Sequence, residues 1–278
     1  MDSSRPIALL TDFGTIDPFA GILKGVISRI TPAARLIDLS HNIPPGDISR
    51  GAIALWQAKP YFPANTVYLC VIDPGVGTAR RGLIVESGDT TFIGPDNGVF
   101  TYISEPGAQA WELSNPDLAL RSPSSTFHGR DIFAPAAAYA ARGQSGETFG
   151  PPVTDMIRLP LPLLEIVSAR EIRGEVLFAD RFGNLLTSLG KFISMKASFE
   201  LVPWLPGSSP VKLSKQCLHL QLPRGESLPI VDTFANIPEN SCAGLIGSSG
   251  LLEIAAHQAS AAEILGLSGG EPITLLSS

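Results

Sequence analysis

The chain has 278 residues, of which only 17% are charged, while 27 are Gly and 24 are Pro. A formal net charge of −6 without any cluster of Lys and Arg excludes nucleic acid and anionic membranes as partners, because both need concentrated positive charge. The longest apolar stretch, around 132–141, is far short of the roughly 20 residues of a membrane span, and no signal-peptide core opens the chain, so a cytoplasmic protein is expected.

From residue 7 onward, short apolar runs alternate with helical segments. The runs Ile7–Leu10, Ala34–Leu39, Thr66–Ile72, Gly82–Val85 and Thr91–Ile93 lack in/out alternation, which suits strands buried on both faces. Helical character appears at Phe19–Ile30, Ile48–Ala58 and Ile132–Arg142. Residues 1–155 are therefore expected to form an α/β domain with a largely parallel central sheet flanked by helices. Pro151-Pro152 and Leu159-Pro160-Leu161-Pro162 then predict a stiff linker over 156–170, since proline removes a donor and restricts its predecessor. Residues 171–278 carry short strand signals punctuated by Gly, Pro and Ser, which predict a smaller, mostly antiparallel β domain. Cys70, Cys217 and Cys242 stand far apart in apolar runs and read as core thiols in a reducing compartment, without zinc spacing.

Parallel α/β sheets bind ligands beyond the carboxyl ends of their strands, and three junctions there carry chemistry. Asp12 follows the first apolar run, either as a turn or N-cap residue or as a carboxylate that accepts two hydrogen bonds from a sugar diol. Asp73 opens the loop Asp73-Pro74-Gly75-Val76-Gly77-Thr78-Ala79-Arg80-Arg81, whose spacing folds Arg80 back onto Asp73, as a structural pair or a catalytic one. His128 precedes Gly129-Arg130-Asp131 and an apolar helix, where it is either structural or the third member of an Asp, Arg, His group able to polarise water. In the second domain, Asp180-Arg181-Phe182-Gly183-Asn184 reads as a hairpin tip. Gly247-Ser248-Ser249-Gly250, leading to Glu253, reads as a turn offering hydroxyl and N–H groups to a carboxylate.

In order along the chain, these segments, together with His41-Asn42-Ile43-Pro44-Pro45-Gly46-Asp47 and Gly94-Pro95-Asp96-Asn97-Gly98, closely resemble the adenosine-forming S-adenosyl-L-methionine (SAM) hydrolases. That family, the SAM hydroxide adenosyltransferases, is related to fluorinating and chlorinating enzymes. The resemblance implies attack of activated water on ribose C5′ of SAM, releasing adenosine and L-methionine. It implies Asp73, Arg80 and His128 as the catalytic group and Asp12, Asp180, Phe182, Asn184, Ser248 and Glu253 as substrate-binding residues. Asp12 falls on the ribose-diol carboxylate, Asp180 on the group meeting the methionine ammonium, Ser248 on the carboxylate binder, and Phe182 and Asn184 at the adenine end. No cofactor and no metal are implied, and self-association as a homotrimer with intersubunit sites is. Phe19 and Ala20 depart from the Tyr and Val common in relatives. Ser249, Ala256 and Gly46 replace residues with which halogenases grip their substrate, and the halogenase insertion after Arg81 is absent; both differences favour water over halide. The alternatives are halide-dependent adenosyl transfer, a metal-dependent phosphoester hydrolase with Asp12, Asp73, Asp96 and His128 as ligands, and a non-catalytic SAM- or adenosine-binding protein.

Overall fold

In a computed structural model that describes residues 4–103, 106–196, 198–203, 209–214 and 218–277, the chain divides into two compact units, residues 1–159 and 160–278. Among the described residues the first unit is built on a six-stranded sheet of order β2-β1-β3-β5-β4-β6. Its strands are β1 (Ile7–Thr11), β2 (Leu36–Ser40), β3 (Val67–Val71), β4 (Gly82–Ser87), β5 (Thr90–Pro95) and β6 (Gln109–Glu112). β2, β1, β3 and β5 run parallel. Every residue of β1, β3 and β5 is buried, which is why their apolar runs do not alternate. β4 alone runs against them, antiparallel to both β5 and β6. The physical reason for the β4/β5 reversal lies in the Gly88-Asp89 turn, where Gly88 has φ +59°; two residues can join only antiparallel neighbours.

Helices α1 (Phe19–Ile30), α2 (Ile48–Ala58) and α3 (Ala134–Ala141) complete this unit. Asp47 caps α2, its carboxylate accepting from Arg50 N at 2.9 Å. α3 is almost entirely Ala and buried apart from Tyr139, so its thin side chains let it pack close to β1, β3 and α1. The five residues ahead of it, Gly129–Phe133, form a π turn. One apolar layer joins β1, β3, α1 and α3 on one face of the sheet; a second, including Tyr68, Phe92 and Leu55, fills the other.

Among the described residues the second unit is a ten-stranded sheet whose strand pairings are antiparallel. Its long strands β8 (Glu171–Ala179) and β9 (Leu185–Ser194) form the central hairpin. The segment expected as a linker is pinned at both ends. Ile157 N donates to Asp96 Oδ1 and Leu159 N to Thr101 Oγ1, while β7 (Leu164–Ser168) pairs with β8. Cys70 and Cys242 are free and buried; Cys217 lies outside the described residues. No helix among the described residues is long and apolar enough to cross a membrane.

Gly94 on β5 is a close-approach point: a Cβ there would stand 2.2 Å from Cys70 O on β3. Gly94→Ala is expected to force β3 and β5 apart and lower stability by about 1–3 kcal/mol, read as a lower urea midpoint at unchanged slope.

Candidate active site

β1 pairs with β2 on one side and β3 on the other, so the chain reverses its direction of travel across the sheet between β1 and β3, where open α/β sheets form their ligand crevice. Thr11 lies opposite Val71, and Asp12 and Asp73 therefore emerge from the same carboxyl edge on neighbouring strands. Gly46 N donates to Asp12 Oδ2 at 2.9 Å. Burial pushes the Asp12 carboxyl up, against the pull of that N–H, and the nearby Asp73 charge adds to the rise.

The loop after Asp73 is wound tightly. Thr78 Oγ1 donates to Gly75 O at 2.7 Å. Gly77, at φ +80°, sits so close to Ser125 that a Cβ would meet its carbonyl oxygen at 2.4 Å; only Gly permits both the backbone angle and the contact. The winding returns Arg80 to Asp73. Arg80 Nε donates to Asp73 Oδ1 at 2.9 Å and Nη2 donates to Oδ2, a bidentate pair whose side chains are 10% and 5% exposed. Arg80 Nη2 also lies 2.9 Å from His128 Nδ1. A guanidinium only donates, so Nδ1 is the acceptor and a neutral His128 carries its proton on Nε2. Burial, and then the Arg80 charge, hold the His128 pKa below its usual value.

The His128 loop is fastened from below by buried Asp131, which accepts from Ser124 N and Arg130 Nε and whose carbonyl accepts from Leu120 N. Phe13, beside Asp12, and Phe127, beside His128, pack edge-on with each other and with Phe19, ring centroids 5.5–6.0 Å apart. The rings join the Asp12 loop to the His128 loop. The fastening of the 120–124 segment by Asp131 and this ring cluster went unread in the sequence, although aromatics next to both candidate residues were the available signal. The first unit thus gathers Asp12, Asp73, Arg80 and His128. Asp96 is engaged elsewhere, by Arg81 and Ile157 N. Among the described residues no three His, Cys, Asp or Glu side chains come together in a metal-holding group, so the quartet of the phosphoesterase alternative does not assemble as a ligand set.

In the second unit, Asp180 organises its hairpin tip: Oδ1 accepts from Phe182 N and Asn184 N, and Oδ2 from Asn184 Nδ2. Phe182 and Asn184 line a cavity of about 680 Å³ together with Phe234, Ala256 and the segment His257–Ser260. That segment was missed in the sequence; its signal is the Ser260-to-Glu263 capping pattern, Ser260 Oγ accepting from Glu263 N at 3.2 Å. Gly183 touches Ser260 directly, and Ala262 N donates to Gly183 O, which locks the two walls together. Glu253 is half-buried, with its pKa raised by burial and then by the Asp180 charge; its carboxylate fills the space a side chain at Gly247 would need. Ser248 sits in the turn between β14 (Cys242–Ile246) and β15 (Leu251–Ala256), outside the lining of the cavity.

A parallel sheet carrying a carboxylate, guanidinium and imidazole group beyond its switch point has the layout of an α/β enzyme that binds a small molecule. Comparison with known proteins narrows the class. Residues 7–150 match the SAM hydroxide adenosyltransferase N-terminal domain and residues 174–274 its C-terminal domain. The chain is 40% identical to an (R)-S-adenosyl-L-methionine hydrolase of Thermus thermophilus, over 98% of this chain and all of that one. It is 38% identical to an enzyme of the same name from Salinispora tropica, over 95% of both. A fluorinase of Actinoplanes sp. is more distant, 27% identical over 97% of this chain and 96% of its own. A crystal structure of a conserved Thermotoga maritima protein superposes with a TM-score of 0.82 at 29% identity, over 97% of this chain and 99% of that one. The chain belongs to the SAM hydroxide adenosyltransferase family.

Arg80→Met is expected to destabilise the first unit by about 3–5 kcal/mol, because it strands the buried Asp73 carboxylate without its counter-ion. Arg80→Lys recovers little of this, since an ammonium cannot reproduce the fork. Urea denaturation of the two variants checks both statements.

Proposed function

We propose that the protein hydrolyses (R)-S-adenosyl-L-methionine to adenosine and L-methionine, by attack of water on ribose C5′ with methionine leaving from the sulfonium. The observation that carries this reading is the Asp73, Arg80 and His128 group at the β1/β3 switch point in a chain of this family. A sulfonium leaves without being protonated, so the protein's task is to hold a water in line behind C5′ and to take its proton. Because Arg80 occupies His128 Nδ1, the neutral ring offers an Nε2–H donor. Asp73, which still has lone pairs outside the Arg80 fork, is the proton acceptor, and His128 orients the attacking water. Asp12 binds the ribose diol.

In the second unit, the cavity lined by Phe182 and Asn184 takes the adenine, Asp180 with Glu253 takes the methionine ammonium, and Ser248 takes the carboxylate. The acidic pair suits a cationic substrate. The two half-sites are completed in a homotrimer, each site drawing on the first unit of one subunit and the second of its neighbour. Depletion of charge from the cores of subunit interfaces accounts for a chain only 17% charged. The reaction needs no metal, and the free thiols of Cys70 and Cys242 suit a reducing cytoplasm.

Incubation of the purified protein with the (R) and (S) sulfonium epimers, with product separation, tests the reaction. Adenosine and methionine are expected from the (R) epimer, unaffected by chelator or chloride; a halogenated nucleoside with chloride or fluoride would overturn hydrolysis. Asp73→Asn is expected to lower kcat roughly 10²- to 10⁴-fold, and His128→Ala to lower it less, with adenosine binding retained in both. The acidic limb of kcat/KM is expected below pH 6.5, because His128 must stay neutral to accept from Arg80 and its pKa is held down. The same depression makes folding stability fall as pH drops below the unfolded value of about 6.5, which titration of the urea midpoint reads.

A further inference from the structure

His41 belongs to neither half-site, yet it is only 6% exposed and lies where the loops after β1 and β2 meet. A buried imidazole is costly unless its polar atoms are engaged; here one nitrogen is hydrogen-bonded and the other lies beside a carboxylate. Nδ1 is 2.8 Å from Thr11 Oγ1, and Nε2 is 3.1 Å from Asp38 Oδ1, close enough for attraction although its N–H is not aimed at that oxygen. Lys24 Nζ holds the other Asp38 oxygen at 2.6 Å. The carboxylate favours the Nε2–H tautomer, which leaves Nδ1 as acceptor and makes the Thr11 hydroxyl its donor.

The consequence falls on Asp12. With its hydrogen directed to His41, Thr11 Oγ1 presents its lone pairs to Phe13 N, 3.3 Å away, closing a turn around the residue between them. His41 O accepts from Gly14 N at 2.7 Å, and Gly46 N, five residues beyond His41, donates to the Asp12 carboxylate. Thr11, Gly14 and the Asp12 side chain are therefore each tied to the 41–46 loop, and the buried His41 side chain makes the tie at Thr11.

We infer that His41 is a positioning residue that, through Thr11, sets the Asp12 carboxylate in the orientation that receives the ribose diol, without itself touching substrate. The inference rests on the proposed role of Asp12 as the diol carboxylate. An active site is sensitive to such support because displacement of a binding group by about 1 Å is enough to lose its contact.

The test uses the ratio of affinities of the full-length protein for adenosine and 2′-deoxyadenosine, measured by titration calorimetry, because only the first carries the diol and a general loss of packing weakens both alike. Asp12→Ala is expected to bring the ratio close to one. His41→Ala is expected to lower it about five- to tenfold, the size of one lost hydrogen bond, and His41→Asn, which keeps an acceptor near Nδ1, to restore most of it. Asp38→Asn, a milder change at a half-exposed position, is expected to lower the ratio in the same direction and serves if His41→Ala does not fold. A ratio that collapses in Asp12→Ala but stays at the wild-type value in His41→Ala, or in Asp38→Asn where that serves, overturns the inference. A ratio unchanged in Asp12→Ala overturns the diol role itself.

Discussion

The forked contact of Arg80 with Asp73, extended to His128, is the constraint around which the first unit is arranged. Two buried ionic side chains stay in place only when geometry and hydrogen bonds compensate their desolvation. The chain meets that condition by winding residues 73–81 so tightly that a guanidinium seven residues from the carboxylate returns to it edge-on. The contact also decides chemistry. A guanidinium that donates to Nδ1 fixes the tautomer of His128 and opposes its protonation, so one side chain organises both a carboxylate and an imidazole.

Everything near that contact serves to keep it still. Gly77 lets the 73–81 loop press against the backbone at Ser125, Asp131 fastens the loop that carries His128, and the three phenylalanine rings couple that loop to Asp12. The π turn at Gly129–Phe133 joins this loop to α3; such turns disrupt the regular helical ladder and recur at functional sites. Rigid supports of this kind suit a reaction whose difficulty is placement of a weak nucleophile rather than departure of the leaving group.

The second unit solves a different problem with different means. Its cavity is walled by a hairpin tip and by the segment ahead of a short helix, α4 (Ala261–Leu265), and Asp180 spends its carboxylate on shaping the tip. The turn reading and the binding reading of Asp180 are thus compatible: the hydrogen bonds that build the tip set a carboxylate near Glu253, whose pKa is raised by burial and then by that charge.

Much of this was legible in the sequence, for identifiable reasons. Unbroken apolar runs mark β1 and β3 because both faces are covered. Pro, Gly and Asp at strand ends mark Asp12 and the 73–81 loop, and the Arg80 return follows from local spacing. What involves residues distant along the chain was not legible. Neither the union of His41 with Thr11 thirty residues away nor the meeting of Gly183 with Ser260 leaves a local pattern, because each contact arises from the packing of separate elements. The sequence by itself determined which segments are strands and helices and where candidate polar residues stand at their ends, since backbone preference and apolar periodicity are local properties. Only the tertiary structure decided that Arg80 donates to both Asp73 and His128 and thereby sets where the proton sits on the ring, since that follows from three side chains converging from two loops within hydrogen-bond distance.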